Sequence, residues 1–425
     1  MSATGRSSLA RGGVLLGVAA AVSNALGYAL TILFTRSFGP AEYGALGALL
    51  GVGLIGGIPA GGMQYVLARR TAAHRLPLGS NERSGLLLAL AVGGGLGALT
   101  VGLSPAAKAF FHLDSVWPAV WLGAMLVPFV VTGALLGGLL GHEQYGRFAT
   151  GQVVAAVARF LAGVVTAAVG LSDSGAMAAL AVGTLLAALV VWQLSGPATW
   201  RRRAGHGWRR LLPDLWRSSS AIAGVIVLSN VDLLLARHFL SREESGQYAL
   251  ASLFAKACLW GAQFVPALVF PRLAGQGPGR GLLLRAAAAA AAVGGAGILL
   301  AAVAGGPIVR MVSGDDAGYA GTVALAVPFA VLGTLWALVQ LALLAAVATG
   351  DPRPGRLLWA LVTVEVLVIV FGPHETAAQL LTVCLVTTVV LLAGAVLLDL
   401  RGRRGRRPVV PAAPVATPLD PAALP

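Results

Sequence analysis

Residues 218–274 read SSSAIAGVIVLSNVDLLLARHFLSREESGQYALASLFAKACLWGAQFVPALVFPRLA, and their hydropathy decides the fold. Two apolar runs, each long enough to cross a bilayer, flank the short polar turn SREESGQ at 241–247. Each run carries one ionisable residue well inside it, Asp232 in the first and Lys256 in the second. A charge at such depth costs several kcal/mol unless it is paired or faces a wet cavity, so both are candidate functional residues. At a helical rise of about 1.5 Å per residue, Asp232 lies about 10 Å and Lys256 about 15 Å below the same membrane edge, within reach of one another. Lys256, Trp260 and Gln263 recur at i, i+4 and i+7 and share one helix face.

The rest of the chain follows the same pattern. Its 425 residues are 57% hydrophobic and only 11% charged, with a mean hydropathy of +0.83, which excludes a soluble domain. Apolar runs of about 20 residues fall at 12–35, 44–67, 85–106, 116–140, 148–171, 174–194, 218–239, 246–270, 282–304, 318–348, 356–372 and 377–399. The expectation is an all-α polytopic membrane protein of about twelve transmembrane helices. The first run is too long for a signal-peptide core and reads as a retained helix. The stretch SGPATWRRRAGHGWRRLLPDLWR divides the spans evenly. The expected organisation is a cytoplasmic N-terminus (1–11), a six-helix bundle (12–195), a basic linker (196–217), a second six-helix bundle (218–399) and a disordered tail (400–425). An even number of spans gives the two bundles one orientation, related by a pseudo-two-fold axis along the membrane normal around a central cleft.

Charge sets the orientation. Of the 30 Lys and Arg residues, Arg36, Lys108, Arg237, Arg242 and Arg310 fall on one side and Arg159 and Lys256 lie within spans, while all the others fall on the opposite side. The basic side faces the cytoplasm, with both termini there. These arginines sit in short runs between apolar spans and not on a folded basic face, so the net charge of +14 points to membrane lipids and not to nucleic acid. Cys258 and Cys384 both lie inside apolar spans, with no disulfide framework and no metal-ligand spacing. Triplets such as Gly93–Gly95 lack a preceding strand, and no ATPase motif is present, so no nucleotide or other cofactor is expected.

An earlier copy of the central pattern, SNALGYALTILFTRSFGPAEYGALGALL, runs from Ser23 to Leu50, with Ser23-Asn24 matching Ser229-Asn230. Here Asn24, Tyr28, Thr31 and Thr35 form a continuous polar stripe, either cleft lining or helix-to-helix glue. Gln64 and Gln263, each in the second helix of its half, and Asn230 are further cleft candidates. Arg159 shares a face with Gln152 near mid-membrane and suits a phosphate, a structural pair being the alternative. Glu365 and Asp232 are candidates for ion coupling, and Asp232 alternatively forms a fixed pair with Lys256.

The segments LTILFTRSFGPAEYGALGALL, GLLGHEQYGRFATGQVVAAVARFLAGVV, NVDLLLARHFLSREESGQYALASL and PIVRMVSGDDAGYAGTVALAV resemble the polysaccharide biosynthesis flippases. Those belong to the superfamily that also holds the multidrug and toxin extruders and the lipid II flippases. The resemblance covers most of residues 12–399, and its sharpest motif is the turn R-x-x-G-P-x-x-Y-G from Arg36 to Gly44. It implies a cleft lined by spans one, two, seven and eight, a lipid-linked glycan as substrate, an isoprenoid-pyrophosphate oligosaccharide, moved outward across a bacterial cytoplasmic membrane, and polysaccharide assembly proteins as partners. A cation-coupled drug exporter of the same superfamily is the alternative. Cleft cations favour the anionic lipid, and unpaired cleft carboxylates favour the drug. A membrane-embedded glycosyltransferase or ligase needs acidic and histidine residues gathered in a sizeable outer loop, whereas the outer turns are short.

Overall fold

The computed structural model describes residues 3–74, 80–196, 208–262, 280–314, 316–349 and 351–405. Among them the chain is helical, with no strand. The helices of the first half are α1 (Ala3–Ser37), α2 (Pro40–Gly56), α3 (Ile58–His74), α4 (Ser80–Gly102), α5 (Ser104–Phe110), α6 (Trp117–Gly141), α7 (Tyr145–Val169) and α8 (Asp173–Ser195). Those of the second half are α9 (Trp208–Leu228), α10 (Val231–Phe239), α11 (Arg242–Gly261), α12 (Arg280–Ser313), α13 (Thr322–Thr349), α14 (Arg353–Phe371) and α15 (Ala377–Gly405). Among the described residues, ten stretches are long and apolar enough to cross a membrane, with α2 and α3 counted as one broken span. The two remaining spans read from the sequence are α9 with α10, and α11. Large apolar side chains on the outer surface, such as Leu299, Val303 and Phe371, are more than half exposed, as lipid-facing residues are. This is an all-α, multi-pass membrane protein.

Local chemistry sets the helix ends. Pro40, Pro105, Pro118 and Pro354 stand in first turns, where the missing N–H costs nothing. Gly170 closes α7 in the left-handed region at φ 66°. The Ser241 hydroxyl accepts from Glu244 N at 3.2 Å and opens α11. Two spans are broken where the sequence reads them as continuous: the second at Gly57 and the seventh at Ser229-Asn230. Residues 208–217, read as linker, are the first turns of α9. Leu211 and Leu215 there are buried against Met63, Leu67 and Leu88. Residues 197–207 of that linker and the tail beyond Gly405 lie outside the described residues.

In the first half, α6 packs against α3, α4 and α8, and α7 packs against α1 and α8. A glycine row on α6 permits this. A Cβ at Gly137 would meet Gln64 O at 2.6 Å, one at Gly141 would meet Ala68 O at 2.8 Å, and one at Gly133 would strike the Ala60 carbonyl. Small residues at every fourth position let membrane helices approach backbone to backbone. In the second half α13 packs against α11, α12 and α15, and α14 against α15. The halves meet where α2 lies on α10 and α11, and where α3 lies on α9. The largest core cluster crosses this junction and includes Phe34, Leu46, Leu49, Tyr248, Phe329 and Trp336.

Candidate functional site

Between the halves lies a cavity of about 480 Å³. Helix α1 contributes Asn24, Tyr28 and Thr31 of the polar stripe. Thr35, the next member, is buried elsewhere and donates to Val312 O of the other half at 3.1 Å. Helix α2 supplies Tyr43, Gly47, Gly51 and Leu54, and α11 supplies Ser252, Lys256 and Trp260 at four-residue spacing. Spans four, five and six add Met125, Phe129, Gln152, Arg159 and Thr184, a larger share than the expectation of a cleft lined by spans one, two, seven and eight. Span seven reaches the cavity through Leu233. Gln263 lies outside the described residues.

The cavity wall carries two cations, Arg159 and Lys256, and among the described residues no carboxylate. Arg159 donates from Nε to Ala155 O of its own helix at 3.1 Å, and its guanidinium carbon lies 5.9 Å from the centre of the Phe129 ring. That contact is a cation–π interaction which orients the planar fork. No described residue accepts a hydrogen bond from its Nη atoms or from Lys256. The wall is otherwise apolar or hydroxylic, so the two unspent cations dominate its field.

The structure separates Asp232 from this cavity. No ion pair within 4.0 Å joins it to Lys256, though the Lys256 charge still acts on it through space. The depth estimate placed the two at similar heights, but the break at Ser229-Asn230 turns α10 so that Asp232 points into the second half. There it is 1% exposed and accepts a hydrogen bond from Tyr248 Oη at 3.0 Å. The same hydroxyl lies 4.0 Å from Cys384 Sγ on α15. Glu365 of α14, 0% exposed, sits beside the Cys384 thiol, and among the described residues no other group pairs with its carboxylate oxygens. Asp232 Oδ1 and Thr388 Oγ1 are also buried, without a hydrogen-bond partner among the described residues. Two buried carboxylates in one cluster, with no cation in contact with them among the described residues, are stable there once neutralised by protons or by a bound cation. Among the described residues, no three His, Cys, Asp or Glu side chains gather as metal ligands.

Asn230 is likewise absent from the cavity. It stands at the helix break, donating to Ile226 O at 2.8 Å and to Ser229 Oγ at 3.2 Å, with its own Oδ1 unsatisfied. The sequence match to Asn24 therefore joins a cavity residue to a hinge residue. Gln64 lines a second, smaller cavity of about 260 Å³ within the first half, between α3, α6, α7 and α8.

One end of the protein, where the turns after α1, α5, α10, α12 and α14 gather, is sealed by contacts between the halves; we call it the distal end. Arg237 on α10, 3% exposed, donates from Nε to Phe111 O at 2.9 Å and from Nη1 to Ala41 O at 3.0 Å, both in the first half. Its Nη1 also donates to Arg242 O at 3.3 Å and Ser245 Oγ at 2.9 Å in its own half. Around it, Tyr319 Oη donates to Phe38 O at 3.1 Å, Arg242 pairs with Asp114 at 3.1 Å, and Arg36 donates to Met311 O. Gly246 lies so close to Pro40 that a Cβ there would overlap its carbonyl. At the other end, Arg70 of α3 pairs with Asp214 of α9 at 2.7 Å.

Sequence reading missed Tyr248 and Arg237. A lone tyrosine in an apolar helix looks like core, and an arginine beside a turn looks like a topology charge. Only the burial of both, with their polar atoms spent on the opposite element, reveals their work.

No protein-family model and no curated protein matches the sequence. Solved structures do. An inward-facing multidrug resistance MATE family transporter of the MOP superfamily is 12% identical, with a TM-score of 0.67 over 90% of this chain and 96% of that one. The lipid II flippase MurJ in an inward closed conformation is 11% identical, with a TM-score of 0.69 over 92% of this chain and 87% of that one. A MOP superfamily transporter from Pyrococcus furiosus, described by the reverse polarity of its binding pocket, is 14% identical with a TM-score of 0.61 over 92% and 95%. The chain therefore has the fold of the MOP superfamily transporters, the superfamily that its sequence motifs resemble. A shared fold leaves the cargo open, and that must be argued from the cavity.

Proposed function

We propose that this protein moves an isoprenoid-pyrophosphate-linked oligosaccharide across the membrane by alternating access, with the pyrophosphate held by Lys256 and Arg159. The observation that carries the proposal is the wall polarity: two cations with unspent donors and, among the described residues, no carboxylate. A pyrophosphate taken out of water needs opposite charge and several hydrogen-bond donors. An arginine fork supplies a bidentate contact and a lysine supplies a point charge. The isoprenoid tail stays in the bilayer while the headgroup crosses through the cavity. The sealed distal end is one of the two states such a cycle requires, and on the charge asymmetry of the loops it faces outward, with both termini in the cytoplasm of a bacterial cell. Membrane lipids and polysaccharide assembly proteins are the partners that this reading implies.

A cation-coupled drug exporter is the second reading, and the buried acids Asp232 and Glu365 are the observation in its favour. Both lie off the cavity wall, so they suit ion coupling better than contact with a cationic drug. We assign them that role within the flippase cycle.

The test uses reconstituted vesicles and a fluorescent polyprenyl-pyrophosphate oligosaccharide, with inward and outward pools separated by a membrane-impermeant quencher. Lys256→Ala should lower flipping by about tenfold or more, the loss of one charge-assisted contact of about 1.5 to 3 kcal/mol. Lys256→Arg should retain part of the activity. Full flipping by the Ala variant would refute the reading.

A further inference from the structure

The smaller cavity in the first half shares part of its wall with the cavity assigned above to the pyrophosphate. Phe129, Gln152, Arg159 and Thr184 line both spaces. We propose that this side pocket seats the first sugar of the lipid-linked glycan, the ring bonded directly to the pyrophosphate; the inference rests on the reading above.

Its chemistry is that of a site for an uncharged polyhydroxyl ring. Arg159, at the shared wall, is its one charged residue among those described. Gln64 and Gln152 make no side-chain hydrogen bond to any described residue, and each amide offers two donors and two acceptor lone pairs. An isoprenoid chain would leave those amides unpaired at a penalty, and a metal ion would find no carboxylate. A pair of neighbouring sugar hydroxyls, each able to donate and accept, satisfies an amide on both edges.

The hydroxyls of Thr132 and Thr184 donate to Pro128 O at 2.7 Å and Leu180 O at 2.8 Å of their own helices. They therefore face the pocket as acceptors. Phe129, already held by Arg159, offers a flat apolar surface for the C–H face of a pyranose. A volume of about 260 Å³ exceeds many times the about 30 Å³ share of one water, and suits one ring and not a chain. Since the first sugar is covalently attached to the phosphate, a seat that shares Arg159 with the anion site is where its ring falls.

The experiment measures binding of two probes to the purified full-length protein. One is polyprenyl pyrophosphate, and the other is the same lipid bearing a single N-acetylhexosamine. The wild type should bind the sugar-bearing probe more tightly by about tenfold, and Gln64→Leu should abolish that preference while binding of the bare lipid stays unchanged. No preference in the wild type, or a preference that survives in both Gln64→Leu and Gln152→Leu, would overturn the sugar seat alone. If Gln64→Leu also loses the bare lipid, the pocket is part of the anion site and the inference fails. If the wild type binds neither probe, the pyrophosphate reading itself falls.

Discussion

Replacing Arg237 by alanine should open the distal end, and the hydrogen-bond pattern gives the size of the effect. Of its four acceptors, Arg242 O and Ser245 Oγ belong to the same half and travel with Arg237 when the halves part. Their loss weakens both states equally and cancels from the conformational equilibrium. Phe111 O and Ala41 O belong to the other half, so only these two bonds distinguish closed from open. At about 1.5 kcal/mol each, the lower end for a charged donor, the closed state loses about 3 kcal/mol. That shifts the closed-to-open ratio by about 150-fold, enough to turn a 1% open population into a majority. Spin labels at Lys108 and Glu243, exposed distal residues of opposite halves, would report the separation by pulsed electron resonance. The variant should gain a second, longer distance. An unchanged distribution in a variant of normal folded yield would refute the assignment of Arg237 as the distal lock.

Gly246→Ala should widen the same distance by another route, since its Cβ would overlap the Pro40 carbonyl and overpacking costs about 1 to 3 kcal/mol; a wild-type distribution would show that the seam yields instead. Asp232→Asn and Glu365→Gln are neutral isosteres in a cluster without a cation, so melting should stay within about 1 kcal/mol of wild type while flipping loses its dependence on a proton or sodium gradient. Gradient dependence that persists in both variants would remove the cluster from coupling. A reporter fused after Arg210 should be cytoplasmic and one within Ser241–Gly246 external, and the reverse pattern would invert the proposed direction of transport.

The sequence disclosed helices and faces better than it disclosed where faces point. Asn24, Tyr28 and Thr31, and separately Lys256 and Trp260, lie at helical spacing in otherwise apolar runs, and each set lines the cavity as its period requires. The Asp232–Lys256 pair failed because counting along a helix gives depth but not rotation. That rotation is set by the break at Ser229-Asn230, which two polar residues in an apolar run do not announce. The break at Gly57 was equally hidden, since glycines abound throughout the chain. Glu365 was legible as a buried charge. The cluster it belongs to also draws Asp232, Tyr248 and Cys384 from three other helices, and no local pattern could have gathered them.

Helix α11 carries Tyr248, bonded to Asp232, and two turns later Lys256 on the cavity wall, about 12 Å further along the axis. In the proposed cycle this fixes the form of the coupling. Ion and cargo occupy different places on one rigid rod, so neither can displace the other by crowding it out. Each changes the affinity for its counterpart through the position of the rod and through the field between Lys256 and Asp232, and by the same factor in both directions. Titrating the ion should therefore shift the equilibrium affinity for cargo to a saturable ceiling set by that factor, where direct competition would shift it without limit.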